Sequence, residues 1–484
     1  MHLKTFITIF FLVSFLYGCD APQPKATDKG QIKDTLIIKK VDLLDTILKR
    51  KKLYALTNYS STDYFIYRGY PMGYQYEMAK QFADYLGVQL EMKVEKQLNR
   101  SFEMLDSLQA DVLTMGLTIT SERKEKVLFT KPILFTRQVL VQRKPKGWMK
   151  MRTRDEIESH LIRNVLKLGK KTIHVHKGTV FVERLKSLMS EIADTIYIVE
   201  DERETEELIK AVANGEIDYT IADEYMALVD AGVYKNIDVK TYISFPQKVA
   251  WAVRKDQKRL RDTINTWLDQ FYKTIDSRVL YNKYFKNITR RRNIHQSEYN
   301  SYGKGKLSPY DEIIKKEAKK IGWDWRLLAS LIYQESQFNP NAESWVGAKG
   351  LMQMMPEVMK KYNITDDSPP EDHIKAGAKY LRYLEKQIPP EISDSIERIK
   401  FTLAAYNTGI AHVLDARRLA LKYGRNPNQW TDNVDYFILH LSEKKYYNDP
   451  VVYYGYVRGW ETYNFVQEIM ERYKIYKTLI PNPS

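Results

Sequence analysis

The stretch Gln334-Glu335-Ser336-Gln337-Phe338-Asn339-Pro340, followed by Gly347-Ala348-Lys349-Gly350-Leu351-Met352-Gln353, decides how the C-terminal half of this chain is interpreted. Upstream of it, apolar residues recur at helical spacing, at Leu327, Leu328, Leu331 and Ile332. This pattern predicts a helix whose apolar face also carries Glu335. Partial desolvation and the negative end of the helix dipole would both raise the pKa of that carboxyl group. The sequence therefore predicts a general acid beside a glycine-containing turn, suited to cleaving an acid-sensitive bond in a polymer such as a glycan. The alternative is a glutamate that caps the helix or forms an ion pair.

Length and composition indicate two or three globular domains. The chain has 484 residues, of which 44% are hydrophobic, and its formal net charge is +15 from 76 Lys and Arg against 61 Asp and Glu. The cations are scattered apart from residues 290–292, and no nucleic-acid-binding motif accompanies them, so we predict no nucleic-acid partner. We also find no metal-ligand cluster and no nucleotide motif in the sequence, and we predict no cofactor.

The N-terminus has the features of an export signal. Lys4 precedes an apolar run from Phe6 to Leu16, which is too short to span a bilayer, and Cys19 follows as the single cysteine of the chain. This arrangement resembles the bacterial lipobox, in which the cysteine becomes the acylated first residue. We therefore predict a signal peptide at residues 1–18, lipidation of Cys19 and a polar tether at residues 19–35. An ordinary signal peptide with an incidental cysteine is the alternative.

The rest of the chain divides into two halves that differ in their pattern of apolar residues. Up to about residue 290, short β-branched runs alternate with helical patterns, which indicates α/β units around mostly parallel sheets. The candidate strands are residues 53–56, 112–115, 139–141, 172–175, 219–221 and 249–253. After residue 290 the periodicity is helical throughout. We predict an α/β domain at residues 36–290, a polar linker at 291–306 and an all-α domain at 307–484.

Three motifs in the second half resemble the soluble lytic transglycosylase (SLT) domain of glycoside hydrolase family 23, whose fold is lysozyme-like. They are Glu335-Ser336 with Phe338-Asn339-Pro340, then residues 347–353, then Ala404-Ala405-Tyr406-Asn407-Thr408-Gly409. A looser fourth segment covers residues 453–462. The resemblance implies that Glu335 is the catalytic residue. It also implies that the substrate is bound by Ser336, Gly350, Met352, Gln353, Tyr406, Asn407, Tyr453 and Glu461.

Several of these residues have structural alternatives. The Ser336 hydroxyl is equally suited to bonding the backbone at a helix end. Met352 is equally suited to filling the core, and Tyr406 with Asn407 to forming a packed ring and a turn. For Tyr453 and Glu461 a structural role is the stronger alternative.

The same resemblance implies cleavage of the β-1,4 bond between N-acetylmuramic acid and N-acetylglucosamine with a 1,6-anhydromuramoyl product. One carboxyl group suffices for this reaction, because the muramyl C6 hydroxyl is held in the same sugar as the reacting carbon. A hydrolytic muramidase is the alternative within enzymes. A non-catalytic lipoprotein that binds glycan or amino acids is the alternative outside them.

The first half resembles the family 3 extracellular solute-binding proteins, which close two α/β lobes on polar amino acids. The matching segments are residues 73–80 and 83–88, then Leu117-Thr118-Ile119-Thr120-Ser121-Glu122-Arg123 with residues 129–132. The resemblance implies that Arg123, with Thr118, holds a ligand carboxylate and that Asp223 holds its amino group. An amino acid or a peptidoglycan stem peptide would fit, whereas a domain that has lost its ligand is the alternative.

Together these features predict a bilobal α/β domain resembling periplasmic binding proteins, followed by an all-α, lysozyme-like enzyme domain. The expected partners are peptidoglycan glycan strands, a small ligand in the first domain and a membrane reached through the lipid anchor. We expect the periplasmic face of the outer membrane as the location.

Overall fold

The computed structural model describes residues 42–302 and 305–480 of the chain. The predicted signal peptide, Cys19 and the tether lie outside the described residues. The strands are β1 (Lys52–Thr57), β2 (Phe65–Tyr67), β3 (Tyr70–Met72), β4 (Gln89–Val94), β5 (Val112–Thr118), β6 (Val127–Thr136), β7 (Gln138–Arg143), β8 (Thr172–His176), β9 (Tyr197–Asp201), β10 (Tyr219–Asp223), β11 (Ile237–Tyr242) and β12 (Gln247–Arg254).

Residues 42–302 contain eleven α-helices. They are α1 (Leu43–Arg50), α2 (Tyr74–Tyr85), α3 (Leu98–Asp106), α4 (Ser121–Lys126), α5 (Arg154–Glu158), α6 (Val180–Ile192), α7 (Thr205–Asn214), α8 (Glu224–Val233), α9 (Lys258–Phe271), α10 (Ile275–Tyr281) and α11 (Ile288–Gln296).

The remaining helices belong to the second half. They are α12 (Asp311–Ile321), α13 (Trp325–Ser336), α14 (Pro356–Lys361), α15 (Pro370–Glu385), α16 (Ser395–Thr408), α17 (Ile410–Lys422), α18 (Asp435–His440), α19 (Lys444–Tyr447) and α20 (Gly459–Leu479). Short 3₁₀ segments lie at Trp148–Lys150 and Val165–Leu168, and π-helical turns at Asn282–Lys286 and Trp430–Val434.

Two five-stranded sheets form the two lobes of the first half. The first lobe has the strand order β4-β1-β5-β12-β6 and the second has β11-β7-β10-β8-β9. The chain enters the second lobe between β6 and β7 and returns between β11 and β12. The bilobal α/β architecture predicted from the sequence is confirmed, and all six candidate strands lie within observed strands.

The expectation of mostly parallel sheets is wrong. Each sheet combines two parallel and two antiparallel pairings, because β12 pairs antiparallel with β5 and β6, and β7 pairs antiparallel with β10 and β11. These antiparallel strands are the ones that flank the two crossings between lobes. The sequence pattern of a buried strand is the same for either direction, so it did not distinguish them.

The second half packs as helices around α13. In this helix ten of the twelve residues are buried, so it is apolar on nearly all sides and occupies the centre of the domain. Asp324 begins the helix by accepting a hydrogen bond from the Arg326 N–H at 2.9 Å. Every named element in residues 305–480 is helical, which confirms the all-α prediction.

Residues 291–302 of the segment predicted as a polar linker form helix and strand-like pairings with the first lobe. Helix α11 runs to residue 296, and the next residues extend the β2–β3 hairpin of the first lobe. The Arg68 N–H donates to the Tyr299 carbonyl at 2.9 Å and the Ser301 N–H donates to the Ile66 carbonyl at 2.9 Å. Tyr64 and Ile66, next to and within that hairpin, belong to the apolar core of the second half.

Candidate functional site

Glu335 is the next-to-last residue of α13, and its side chain is half-buried, enclosed by neighbouring residues but still reached by solvent. Among the residues that the structure describes, it has no hydrogen-bond or ion-pair partner. Burial alone raises its pKa from the ordinary value to about 8. A carboxyl group in this environment carries its proton at neutral pH and can donate it.

The backbone turns sharply directly after the acid. Gln337 and Phe338 both have positive φ, 52° and 60°, and the Gln337 N–H bonds the Tyr333 carbonyl at 2.8 Å. The Phe338 side chain is 1% exposed and packs on the Tyr333 ring. This anchored turn ends the helix and fixes the position of Glu335.

The Ser336 hydroxyl connects the two halves of the predicted motif. It donates to the Ile332 carbonyl at 3.1 Å and to the Leu351 carbonyl at 2.9 Å, and the side chain is buried. Its single hydrogen is therefore engaged with backbone. Two roles were considered for the Ser336 hydroxyl, binding the substrate and bonding the backbone. The hydrogen bond to the Leu351 carbonyl links α13 to the glycine-containing turn.

Packing within the protein by itself requires a glycine at position 350, and a contact between Gly350 and the sugar stays a prediction. Its φ is +74°, and an added Cβ would overlap the imidazole ring of His373. The Gly350 N–H bonds the Ala342 carbonyl at 2.9 Å, and the Gln353 side-chain amide donates to the Ala342 carbonyl at 2.8 Å. Gln353 thus stabilises the turn from inside and is only partly exposed.

Met352 does not line a cleft with its side chain. The side chain is 0% exposed and packs against Gly377, where an added Cβ would overlap it. The side chain fills the core beneath the turn, and the role of Met352 in binding substrate stays a prediction. The Met352 carbonyl accepts a hydrogen bond from the Tyr406 hydroxyl at 2.6 Å.

Tyr406 and Asn407 bring α16 to the same place. Burial raises the Tyr406 pKa well above its usual value, and the nearby Glu335 carboxyl adds to this increase, so the phenol is neutral beside the acid. The Asn407 side chain is exposed, and its carbonyl oxygen accepts a hydrogen bond from the Thr462 hydroxyl at 2.7 Å. The structure therefore brings the third motif to the first two and links it to α20.

The fourth segment lies on the surface. The Tyr453 side chain is 72% exposed, with the Arg418 guanidinium carbon 4.2 Å from its ring centroid. Glu461 is exposed and lies 3.7 Å from Arg458. Among the residues that the structure describes, neither the Tyr453 nor the Glu461 side chain forms a hydrogen bond or an ion pair with Glu335.

Asp415 is a residue that the sequence analysis missed. It is 0% exposed and accepts hydrogen bonds from the Tyr453 N–H at 2.9 Å and the Tyr454 N–H at 2.8 Å, and it also pairs with Arg418. It positions the exposed tyrosine segment. No signal in the sequence distinguishes it from a solvated aspartate on α17.

The predicted ligand residues of the first half meet between the lobes. Arg123 lies in α4 of the first lobe, and its guanidinium donates to the Thr118 carbonyl at 3.0 Å. Asp223 is the last residue of β10 in the second lobe. All three are buried. Burial raises the Asp223 pKa to about 7, which Arg123 opposes, and burial lowers the Arg123 pKa.

Two further acids in this cleft were not anticipated. Burial raises the Asp63 pKa to about 7, with Glu206 and Asp223 contributing. Glu206, from the second lobe, accepts a hydrogen bond of 2.6 Å from the Ser61 hydroxyl in the first lobe. The lobes are therefore joined directly across the cleft.

Residues 42–302 and 305–480 contain neither a membrane-spanning helix nor a cluster of metal-ligating side chains. No helix there has the length and apolarity needed to cross a bilayer. No group of three or more His, Cys, Asp or Glu side chains is arranged to hold a metal ion.

Comparison with known proteins gives matches to both halves. Residues 312–429 match the transglycosylase SLT domain family, and residues 55–287 match the bacterial extracellular solute-binding proteins, family 3. A membrane-bound lytic murein transglycosylase F from Desulfosudis oleivorans is 33% identical over 431 residues, covering 89% of this chain and 91% of that protein. A protein of the same name from Photobacterium profundum is 30% identical over 475 residues, covering 97% of this chain and 86% of that protein.

The first half is also similar to solved structures. The crystal structure of an ancestral amino acid-binding protein, AncCDT-1, a precursor of cyclohexadienyl dehydratase, is 26% identical with a TM-score of 0.43. It covers 51% of this chain and 100% of that chain.

Proposed function

Because this chain belongs to the membrane-bound lytic murein transglycosylase F family and is a lytic transglycosylase, we propose that Glu335 performs its chemistry as the single acid and base. The substrate is the peptidoglycan glycan strand, and the bond cleaved joins C1 of N-acetylmuramic acid to O4 of N-acetylglucosamine. The observation that carries this proposal is a carboxyl group that has no partner among the described residues and whose pKa burial raises to about 8.

The reaction needs two proton transfers at one carboxyl group. Glu335 first donates its proton to the glycosidic oxygen as the C1–O4 bond breaks. The resulting carboxylate then accepts the proton of the C6 hydroxyl while O6 bonds to C1, which closes the 1,6-anhydro ring. No water is consumed, and Glu335 ends protonated. An intramolecular hydroxyl that is well oriented has an effective concentration of about 10⁵ M or more, so a second carboxylate to activate water is unnecessary.

Tyr406 supports this cycle through its position. Its hydroxyl donates to the Met352 carbonyl at 2.6 Å, which holds the phenol against the turn. Because the phenol is neutral and buried, it keeps the local dielectric low and adds no charge to compete with Glu335. Asn407, at the exposed end of α16, is the candidate for contacting the sugar.

Glu335→Gln tests the assignment. The amide is the same size but cannot donate an acidic proton, so we expect lytic activity on purified sacculi to fall at least 10³-fold, on the order expected for loss of acid–base catalysis, while sacculus binding persists. Mass spectrometry of the wild-type digest should give anhydromuropeptides, which are one water lighter than hydrolysis products. Hydrolysis products would instead identify a muramidase, and activity that survives Glu335→Gln would refute the site.

The first half is proposed to bind an amino acid or a stem peptide between its lobes. The Arg123 guanidinium suits a carboxylate and Asp223 an ammonium group, and the two lie on opposite lobes of one cleft. Calorimetry on the full chain with amino acids and stem peptides tests this. Binding that Arg123→Lys weakens supports the assignment, whereas no heat from any ligand in the panel contradicts it.

Membrane attachment follows from the family, and we propose a thioether-linked lipid on Cys19 as its cause, with the outer membrane as the location. The support is the short apolar segment before that cysteine. Growth with a clickable fatty acid should label the wild-type chain and leave Cys19→Ser unlabelled. Fractionation of the two membranes then shows which one holds the labelled protein.

A further inference from the structure

Exposed cations flank Met149 in the sequence of a loop on the second lobe, and Lys235 and Lys240 lie beside Lys144 at the base of that loop. Residues 144–154, Lys-Pro-Lys-Gly-Trp-Met-Lys-Met-Arg-Thr-Arg, contain five cations and no acid. We define the basic surface as Lys146, Met149, Lys150, Arg152, Lys235 and Lys240, all of which are exposed. The Met149 side chain is 81% exposed.

The loop that presents Met149 has a defined conformation. Gly147 has a φ of +79°, and the next three residues form a 3₁₀ turn closed by a hydrogen bond of 2.8 Å from the Lys150 N–H to the Gly147 carbonyl. At the base of the loop, Lys144 Nζ lies 4.0 Å from the Trp148 ring centroid. The turn therefore holds Met149 outward.

The charges of the basic surface are not neutralised by the protein. Within the part of the chain that the structure describes, none of its five cations has an ion-pair partner. Lys144 donates to the Lys235 carbonyl at 2.7 Å, which joins the loop to the neighbouring segment. Burial lowers the Lys144 pKa, and Lys240 and Lys235 lower it further although Asp238 opposes them, so these cations lie close together.

Most of the nearby acids already have hydrogen-bond or ion-pair partners. Asp238 is 6% exposed and pairs with the Arg163 guanidinium. Glu156 accepts the Arg152 N–H at 3.1 Å, and Glu158 pairs with Arg163 and Arg154. Asp155 stays exposed at the start of α5. The surface that remains is positive with an apolar centre.

We propose that the basic surface docks on an anionic phospholipid bilayer, with Met149 entering the headgroup region and the surrounding cations contacting headgroup phosphates. Unpaired cations around an apolar tip are the combination that binds such interfaces. Because the segment between Cys19 and Asp42 can extend on the order of 75 Å, at roughly 3.3 Å per residue, an anchored chain can bring this lobe to the bilayer. Docking in this way would fix the orientation of the enzyme relative to the wall.

Vesicle binding by charge-reversal variants tests the proposal. The full chain carries Cys19→Ala throughout, so that no acyl group contributes, and the vesicles are phosphatidylcholine with or without phosphatidylglycerol. The test variant combines Lys146→Glu, Lys150→Glu and Lys240→Glu. The matched control combines Lys210→Glu, Lys273→Glu and Lys316→Glu, which are exposed, have no ion pair among the described residues and change the net charge equally. Binding through the apolar segment at residues 6–16 is common to all variants and is measured on phosphatidylcholine alone.

We expect the test variant to lose roughly 100-fold in affinity for the anionic vesicles and the control less than about threefold. Met149→Ala should lower the affinity about fivefold. Lytic activity on soluble glycan should be unchanged in all three. If the test variant fails to fold, the corresponding Lys→Gln variant carries the same comparison with a smaller charge change.

Three results would overturn the proposal. Equal losses in the test and control variants would show that binding follows net charge alone. Wild-type binding that is no stronger to anionic than to neutral vesicles would show that no headgroup contact exists. Loss of binding to isolated sacculi without loss of vesicle binding would assign the surface to wall polymer.

Discussion

The Gln337 side-chain amide donates a hydrogen bond of 3.2 Å to the Tyr70 hydroxyl, which joins the first lobe to the end of the helix that carries Glu335. The Tyr70 ring also lies edge-on to Tyr333, with centroids 5.2 Å apart, and the Tyr476 hydroxyl donates to the Gly69 carbonyl at 3.3 Å. The tip of the β2–β3 hairpin thus contacts residues on both sides of the acid in sequence. The placement of Glu335 depends on both halves of the chain.

Gly69→Ala should weaken this junction. Gly69 has a φ of +77°, and an added Cβ would overlap the Tyr333 ring. We expect the free energy of unfolding to fall by about 1 kcal/mol from backbone strain and by about 1–3 kcal/mol more from overpacking. Because the overlap displaces Tyr333, two residues before Glu335, kcat on sacculi should fall as well. Denaturant unfolding and initial rates measure the two effects.

Gly424→Ala is the matched control for that variant. Gly424 has a φ of +72°, but no atom lies within 4 Å of its added Cβ, so this variant has the backbone strain without the overlap. It should lose only about 1 kcal/mol and keep its rate. Equal losses in the two variants would show that the hairpin tip is not tightly packed on Tyr333.

The rate should fall as pH rises through about 8. Burial raises the Glu335 pKa to about 8, so the protonated, proton-donating form is present below that value and is lost above it. The plot of log kcat/KM against pH should therefore be level near neutrality and decrease with unit slope above about 8. Initial rates on soluble glycan from pH 3 to 10 measure it. A decrease centred near the ordinary glutamate value of about 4.3 would contradict the burial of this carboxyl group.

The sequence predicted most of the architecture, because the architecture depends on local patterns. Apolar periodicity located the strands and the helix α13, and the same periodicity placed Glu335 on the buried face. What it did not predict depends on contacts between distant residues. Strand direction, the pairing of residues 299–301 with the hairpin and the bond from Gln337 to Tyr70 are examples.

The motifs in the sequence identified residues at the turn, but they did not predict the packing contacts that those residues make. Gly350 and Met352 were expected to contact sugar, yet His373 and Gly377 explain them through packing. Both of these partners lie in α15, whose sequence has no feature that relates it to the turn. Asp415 escaped notice for the same reason, since its burial depends on the loop at residues 449–458 folding over it.

Ser336→Ala should affect stability more than substrate affinity. The hydroxyl bonds two carbonyls, one in its own helix and one in the turn at Leu351, so its loss should cost about 1–2 kcal/mol of unfolding free energy. Ser330→Ala is the control, because that buried hydroxyl bonds only the Arg326 carbonyl within the same helix. A KM for glycan that rises tenfold in Ser336→Ala, with stability unchanged, would instead indicate a direct substrate contact.

Asp415→Asn should loosen the exposed tyrosine segment. The buried carboxylate accepts two backbone N–H groups, from Tyr453 and Tyr454, and pairs with Arg418. An amide has only one accepting oxygen, and its NH₂ group would face a donor, so we expect a loss of about 2–4 kcal/mol in unfolding free energy. Because the segment at residues 453–456 would lose its anchor, KM on sacculi should rise while the pH dependence set by Glu335 stays the same.

Asp435→Asn controls for placing an amide at a buried aspartate, since Asp435 accepts the Tyr436 N–H but has no cation partner among the described residues. If Asp415→Asn lowers stability no more than this control and leaves KM unchanged, the tyrosine segment is held by other contacts, and its exposed rings do not depend on Asp415 to meet the glycan.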